Sequence, residues 1–178
     1  MFEEKQIIKN TVYNGRVVNV RSDTAEITGG KHVRREVVEH PGGVCVVPVC
    51  ENKMVYCVRQ FRYPFMTELL EVPAGKLEPG EDHFVCASRE LSEETGLTAG
   101  SMTYLGCMYP SPGYCAEILH IYLATDLTQG WQHLDPGEFL QVETIHAEKL
   151  LEMIDRNEIK DAKTVIGLLR GFHHLGIN

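Results

Sequence analysis

The order of hydrophobic patterns along the chain predicts an α+β fold. Short β-branched runs fill the segment from Val12 to Val72. One helical stretch, Glu81 to Thr95, interrupts them. Further strands follow, and two helical pieces close the chain.

The elements follow from local chemistry. Val17, Val18 and Val20 form a β-branched run, Thr28-Gly29-Gly30-Lys31 is a turn signal, and Val33 to Val38 returns as a strand. Residues 1–40 therefore read as an antiparallel β-sheet element, and 41–178 as the main domain. Pro41-Gly42-Gly43 marks the boundary. Val44 to Val49 and Met54 to Phe61 read as two buried strands joined by a turn at Glu51-Asn52-Lys53. Glu68 to Val72 leads into Pro73-Ala74-Gly75. The helix from Glu81 to Thr95 is expected to pack through Phe84, Ser88, Leu91 and Thr95, with Gly96 as its left-handed cap. Met102 to Tyr109, Ile118 to Thr125 and Phe139 to Thr144 complete the strands, and Gln129 to Gly137 is a loop. His146 to Phe172 is helical and breaks near Arg156-Asn157.

Composition narrows the function. The chain has 178 residues, 43% hydrophobic and 24% charged, as in ordinary globular domains. Its net charge of -8 argues against general nucleic-acid binding, which usually presents a basic face. It leaves open an anionic substrate recruited by bound cations. No apolar run is long enough to span a bilayer, and the first ten residues lack a signal-peptide core, so a cytoplasmic protein away from membranes is expected. The six cysteines form no CxxC pair and read as buried free thiols, and the His173-His174 pair reads as surface.

The chemistry concentrates between Gly75 and Leu97. Glu90 and Glu94 stand one helical turn apart on one face, and Glu93 crowds beside them. Like charges at that spacing weaken a helix unless a cation joins them. A hard divalent ion is the natural partner, since Mg²⁺ and Mn²⁺ prefer oxygen ligands and are usually held by one or two carboxylates plus substrate phosphates. The Glu93-Glu94 pair alone would fit a solvated helix face equally well. The full set, Gly75, Glu81, Arg89, Glu90, Leu91, Glu93, Glu94, Gly96 and Leu97, is far more specific.

This run resembles the Nudix box of hydrolases that act on nucleoside diphosphates linked to another moiety. The resemblance implies an α/β/α sandwich around a mixed sheet. It implies Glu90 and Glu94 as metal ligands, with the Ala74 carbonyl as a third and Glu93 binding directly or through water. Arg89 is the box arginine that orients the acids, and Glu81 positions the loop–helix junction.

Pro112, sixteen residues after Gly96, resembles the ADP-ribose pyrophosphatase branch. So do Arg35-Glu36-Val37-Val38, Val58-Arg59-Gln60-Phe61-Arg62 and Glu71-Val72-Pro73-Ala74-Gly75. That branch implies a catalytic base on the loop Leu134 to Phe139, best matched by Glu138, with Asp135 in reserve and Glu93 of the box as a further catalytic candidate. Arg59 and Arg62 are suited to bidentate phosphate contact, and the resemblance favours Arg59. Arg35 would reach a partner's site in a homodimer built by exchange of the N-terminal sheet. Trp131 or an N-terminal aromatic is suited to stack the base, and the sequence selects neither. The expected reaction is metal-dependent cleavage of ADP-ribose to AMP and ribose 5-phosphate. The alternatives are a pyrophosphatase for another nucleotide sugar, such as ADP-glucose or GDP-mannose, and a non-catalytic regulator that binds such ligands.

Overall fold

The computed structural model describes residues 2–177, which form two compact units. The first comprises residues up to Gly42 together with Tyr109–Ile118. Its sheet is antiparallel and built on one long strand. β1 (Glu4–Ile8) and β2 (Thr11–Asn14) share one edge of β3 (Asn19–Ile27), and β4 (His32–Glu39) runs along the other. The Gly29-Gly30 turn closes the β3–β4 hairpin, with the Ile27 N–H donating to the Lys31 carbonyl at 2.9 Å. β1 is absent from the sequence reading because its five residues are all exposed and carry no alternation. Buried Asp23 is satisfied by Gln6, the Asn10 N–H and Arg21, whose combined donation outweighs burial and holds its carboxyl below the usual range. The Tyr109–Ile118 segment joins this unit through hydrogen bonds between Val38 and the backbone of Tyr114 and Ala116.

The second unit comprises Gly43–Met108 and the residues from Leu119 onward. β5 (Gly43–Pro48) lies at its centre and is buried along its whole length. β6 (Met54–Arg62), β7 (Thr67–Glu71) and β8 (Ala74–Lys76) follow, then α1 (His83–Thr95), β9 (Leu97–Met108) and β10 (Leu119–Gln129). β11 (Leu140–His146), α2 (Ala147–Asp155) and α3 (Ala162–Leu175) complete the chain. The main sheet runs β8-β5-β10-β9, parallel between β5 and β10 and antiparallel elsewhere.

Side chains alternate across a strand, so β5 supplies two cores at once. Val44 and Val46 pack with Cys86, Ala87 and Leu91 of α1 and with Tyr122 of β10. Cys45 and Val47 pack on the opposite face with Leu168 and Phe172 of α3. The result is a mixed sheet between helices, the sandwich that the resemblance implies.

β5 and β6 are joined by the expected turn at Glu51-Asn52-Lys53, with one antiparallel bridge between Val49 and Val55. Beyond it they enter different sheets: β8 and β10 flank β5, while β6 joins β11-β6-β7. Two local readings differ from the observed elements. The buried face of α1 is turned toward Cys86, Ala87, Leu91, Glu94 and Thr95, leaving Phe84 exposed. Burying Glu94 in place of a larger apolar face is a first sign of function. Of the cysteines, Cys45, Cys57 and Cys86 are buried, with burial pushing each thiol up to about 12. Cys107 is exposed on the edge strand β9. His173 and His174 are exposed, and among the described residues no helix is long and apolar enough to cross a membrane.

Candidate active site

α1 is a well-terminated helix, and its ends place the acids. Asp82 caps the start, its carboxylate accepting from the Phe84 and Val85 N–H groups at 2.8 and 3.3 Å. Gly96 ends it with φ of 73°, and a Cβ there would fall 2.9 Å from the Gln132 nitrogen. Both the left-handed turn and the close approach of that loop therefore require glycine. The loop in turn satisfies the helix end: the Gln132 side chain donates to the Glu94 carbonyl at 2.6 Å, and the His133 N–H to the Glu93 carbonyl at 2.9 Å.

Arg89 gathers the carboxylates. Its guanidinium donates to both oxygens of Glu81 at 2.9 and 3.0 Å, to Glu90 at 2.8 Å and to Glu93 at 2.9 Å. The Arg89 fork, with help from the Glu78 N–H, holds the Glu81 carboxyl down to about 2. Glu90 is mostly buried, and that burial raises it despite Arg89. Glu94 is more extreme. It is 2% exposed, and burial pushes it up to about 8, the charges of Glu90 and Glu138 adding to the rise while the Ala74 N–H opposes it. That N–H donates to the Glu94 carboxylate at 3.0 Å.

Gly75 is demanded by the same packing. A Cβ on it would fall 1.9 Å from the Glu90 carboxyl group. β8 therefore lies directly on Glu90 of α1.

The donor set suits a hard cation. Buried carboxylates that are costly to ionise become stable once a positive ion faces them. Among the described residues, no three His, Cys, Asp or Glu side chains already close round one point. A cation that keeps waters and substrate oxygens as its remaining ligands needs no such cage.

Glu138 stands at the end of a tight turn: its N–H donates to the Asp135 carbonyl at 2.9 Å, with Pro136 and Gly137 (φ 89°) between. Its charge reaches both Glu90 and Glu94. Arg59 on β6 is ion-paired with Glu143 on β11. Arg62 donates two 2.6 Å hydrogen bonds to Glu71, and Lys163 joins the same carboxylate. Trp131 is exposed. Arg35 and Pro112 belong to the first unit, where Arg35 pairs with Glu4 at 2.6 Å.

Glu143, Gln132, Lys163 and Thr164 have no place in the sequence reading, and Glu71 entered it only within a quoted motif. Glu143, Gln132 and Lys163 meet partners far along the chain, Glu143 standing 84 positions after Arg59, and no spacing rule finds those pairs. Asp161 three residues before Thr164 is a local helix-start signal, but the bond from Thr164 to Val72, 92 positions away, is not.

The NUDIX domain model matches residues 39–166. The chain belongs to the NUDIX family. It is 39% identical over 168 residues to an ADP-ribose pyrophosphatase of Bacillus subtilis, covering 93% of this chain and 91% of that relative. It is also 39% identical over 170 residues to a methanol dehydrogenase activator of Bacillus methanolicus, covering 94% and 92%. The crystal structure of an ADP compounds hydrolase matches with a TM-score of 0.86 over 98% of this chain and 95% of that one. At 23% identity, that likeness is one of fold. The acids on α1 lie within the residues that the NUDIX domain model matches.

Proposed function

We propose that this NUDIX protein hydrolyses the pyrophosphate bond of ADP-ribose to AMP and ribose 5-phosphate. The observation that carries the reading is buried Glu94 bonded to the Ala74 N–H one helical turn from Glu90, in a chain 39% identical over nearly its whole length to an ADP-ribose pyrophosphatase. Glu90, Glu94 and the Ala74 carbonyl would hold a divalent cation, Mg²⁺ or Mn²⁺, with Glu93 assisting. When bound, such an ion neutralises phosphate oxygens and acidifies water.

The protein's own groups do the rest. Glu138 takes a proton from the attacking water, a new P–O bond forms at one phosphorus, and the bridging P–O bond breaks to leave a phosphate on each product. Arg89 keeps Glu81, Glu90 and Glu93 in register. Arg59 meets the diphosphate from β6, steadied by Glu143, with Pro112 as a further substrate-contact residue and Arg35 reaching the site of a second copy in a homodimer. A homodimer built through the N-terminal sheet and a cytoplasmic location belong to the same reading.

The test is AMP release from ADP-ribose with Mg²⁺, beside ADP-glucose, GDP-mannose and nucleoside triphosphates, with a Glu94→Gln control. Rapid ADP-ribose cleavage lost in the control is the expected result. Preference for another nucleotide sugar would overturn the substrate while keeping the chemistry. Ligand binding without turnover of any substrate would instead make the protein a regulator.

A further inference from the structure

The turn that presents Ala74 is held from a part of the chain that carries none of the acidic motif. Asp161 caps α3, accepting from the Thr164 N–H at 2.9 Å and from the Thr164 hydroxyl at 2.6 Å. With its proton committed to Asp161, the hydroxyl oxygen accepts the Val72 N–H at 2.9 Å. Thr164 is completely buried, so no water can replace that acceptor. One residue earlier, Glu71 is 1% exposed and joins Arg62 to Lys163, which also reaches Asp161 at 2.9 Å. One residue later, the Pro73 carbonyl accepts the Val46 N–H at 2.8 Å. Three consecutive residues are therefore pinned, and the fourth is Ala74, whose N–H meets Glu94. A threonine methyl could be replaced by any small apolar group. The doubly used hydroxyl could not.

We infer that the start of α3, through Asp161, Thr164 and Lys163, is a positioning device for the Ala74–Glu94 pair. Thr164 is a positioning residue: it touches neither cation nor substrate but holds Val72, two residues ahead of Ala74. The inference rests on the metal-site reading above and adds to it a control point on the last helix.

Thr164→Val keeps the volume and removes the hydroxyl, while Thr164→Ser keeps the hydroxyl. Three readouts separate positioning from mere stability: amide exchange at Val72 and Ala74 without metal, Mn²⁺ binding by electron paramagnetic resonance without substrate, and kcat against KM. For Thr164→Val, faster exchange, about tenfold weaker Mn²⁺ binding and a lower kcat with little change in KM are expected. The serine variant should restore all three. Wild-type Mn²⁺ affinity and kcat in Thr164→Val would overturn the inference, however far its melting temperature falls. If Thr164→Val does not fold, Asp161→Ala removes the group that orients the hydroxyl from the helix end. It should weaken Mn²⁺ binding in the same direction, and unchanged affinity there overturns the inference too. Failure of the wild type to bind Mn²⁺, or unchanged binding in Glu94→Gln, would instead sink the metal site itself.

Discussion

At Gly75 one methyl group would occupy the space that the Glu90 carboxyl fills. Gly75→Ala is therefore expected to displace Glu90 and lower kcat by about 100-fold, the scale of an ångström-level misplacement at a reacting centre. Far-UV circular dichroism should remain that of the wild type, and an unimpaired kcat would refute the steric argument. Glu94 makes a prediction of a different kind. Its folded pKa of about 8 lies above that of an exposed carboxylate, so the folded metal-free protein holds a proton that the unfolded chain has lost. Stability should then fall as pH rises between the ordinary carboxylate range and about 8. Glu81, held down to about 2, acts in a separate window: its contribution is present above the ordinary carboxylate pKa and is lost as pH falls toward 2. Binding of a divalent ion should release close to one proton near pH 7 and progressively less above pH 8. Calorimetry in buffers of different ionisation enthalpy measures this, and no proton release at pH 7 would contradict it.

α1 carries both the site and half of a core, and the two can be separated by mutation. Leu91 is 1% exposed against Val44, Val46 and Tyr122. Leu91→Ala should cost about 2–5 kcal/mol of stability, read as a lower urea midpoint, with Mn²⁺ affinity of the folded fraction retained. Arg89→Lys should do the reverse, since an ammonium cannot span Glu81, Glu90 and Glu93 with the fixed fork that the guanidinium provides. These elements also mark what could be read in advance. The helix, its glycine cap and the acids at fixed spacing were legible, because capping and the helical repeat are local rules. The pairing of β6 with β11 and β7, the rotation of α1 that buries Glu94, and the grip of Thr164 on Val72 were not. Each depends on a partner whose distance along the chain carries no periodic signal.

For the whole molecule, the unpartnered apolar residues of the first unit matter most. Ile8, Val12, Tyr13 and Val17 are all about half exposed on or beside β1 and β2. Large apolar side chains left exposed on this sheet fit the homodimer of the proposed reading. Val12→Lys with Tyr13→Lys should convert a dimer to monomers in sedimentation velocity, and a wild type that sediments as a monomer would dispose of the idea.

The bonds from Gln132 and His133 to the last carbonyls of α1 tie the loop bearing Glu138 to the backbone of Glu93 and Glu94. The start of the loop is thus fastened to the helix end, five residues ahead of Glu138. A glutamate-specific endopeptidase cutting after Glu138 would act as an external gauge of the site's state. Mg²⁺ should lengthen the survival of that peptide bond, chelation should shorten it, and Gln132→Ala should narrow the difference.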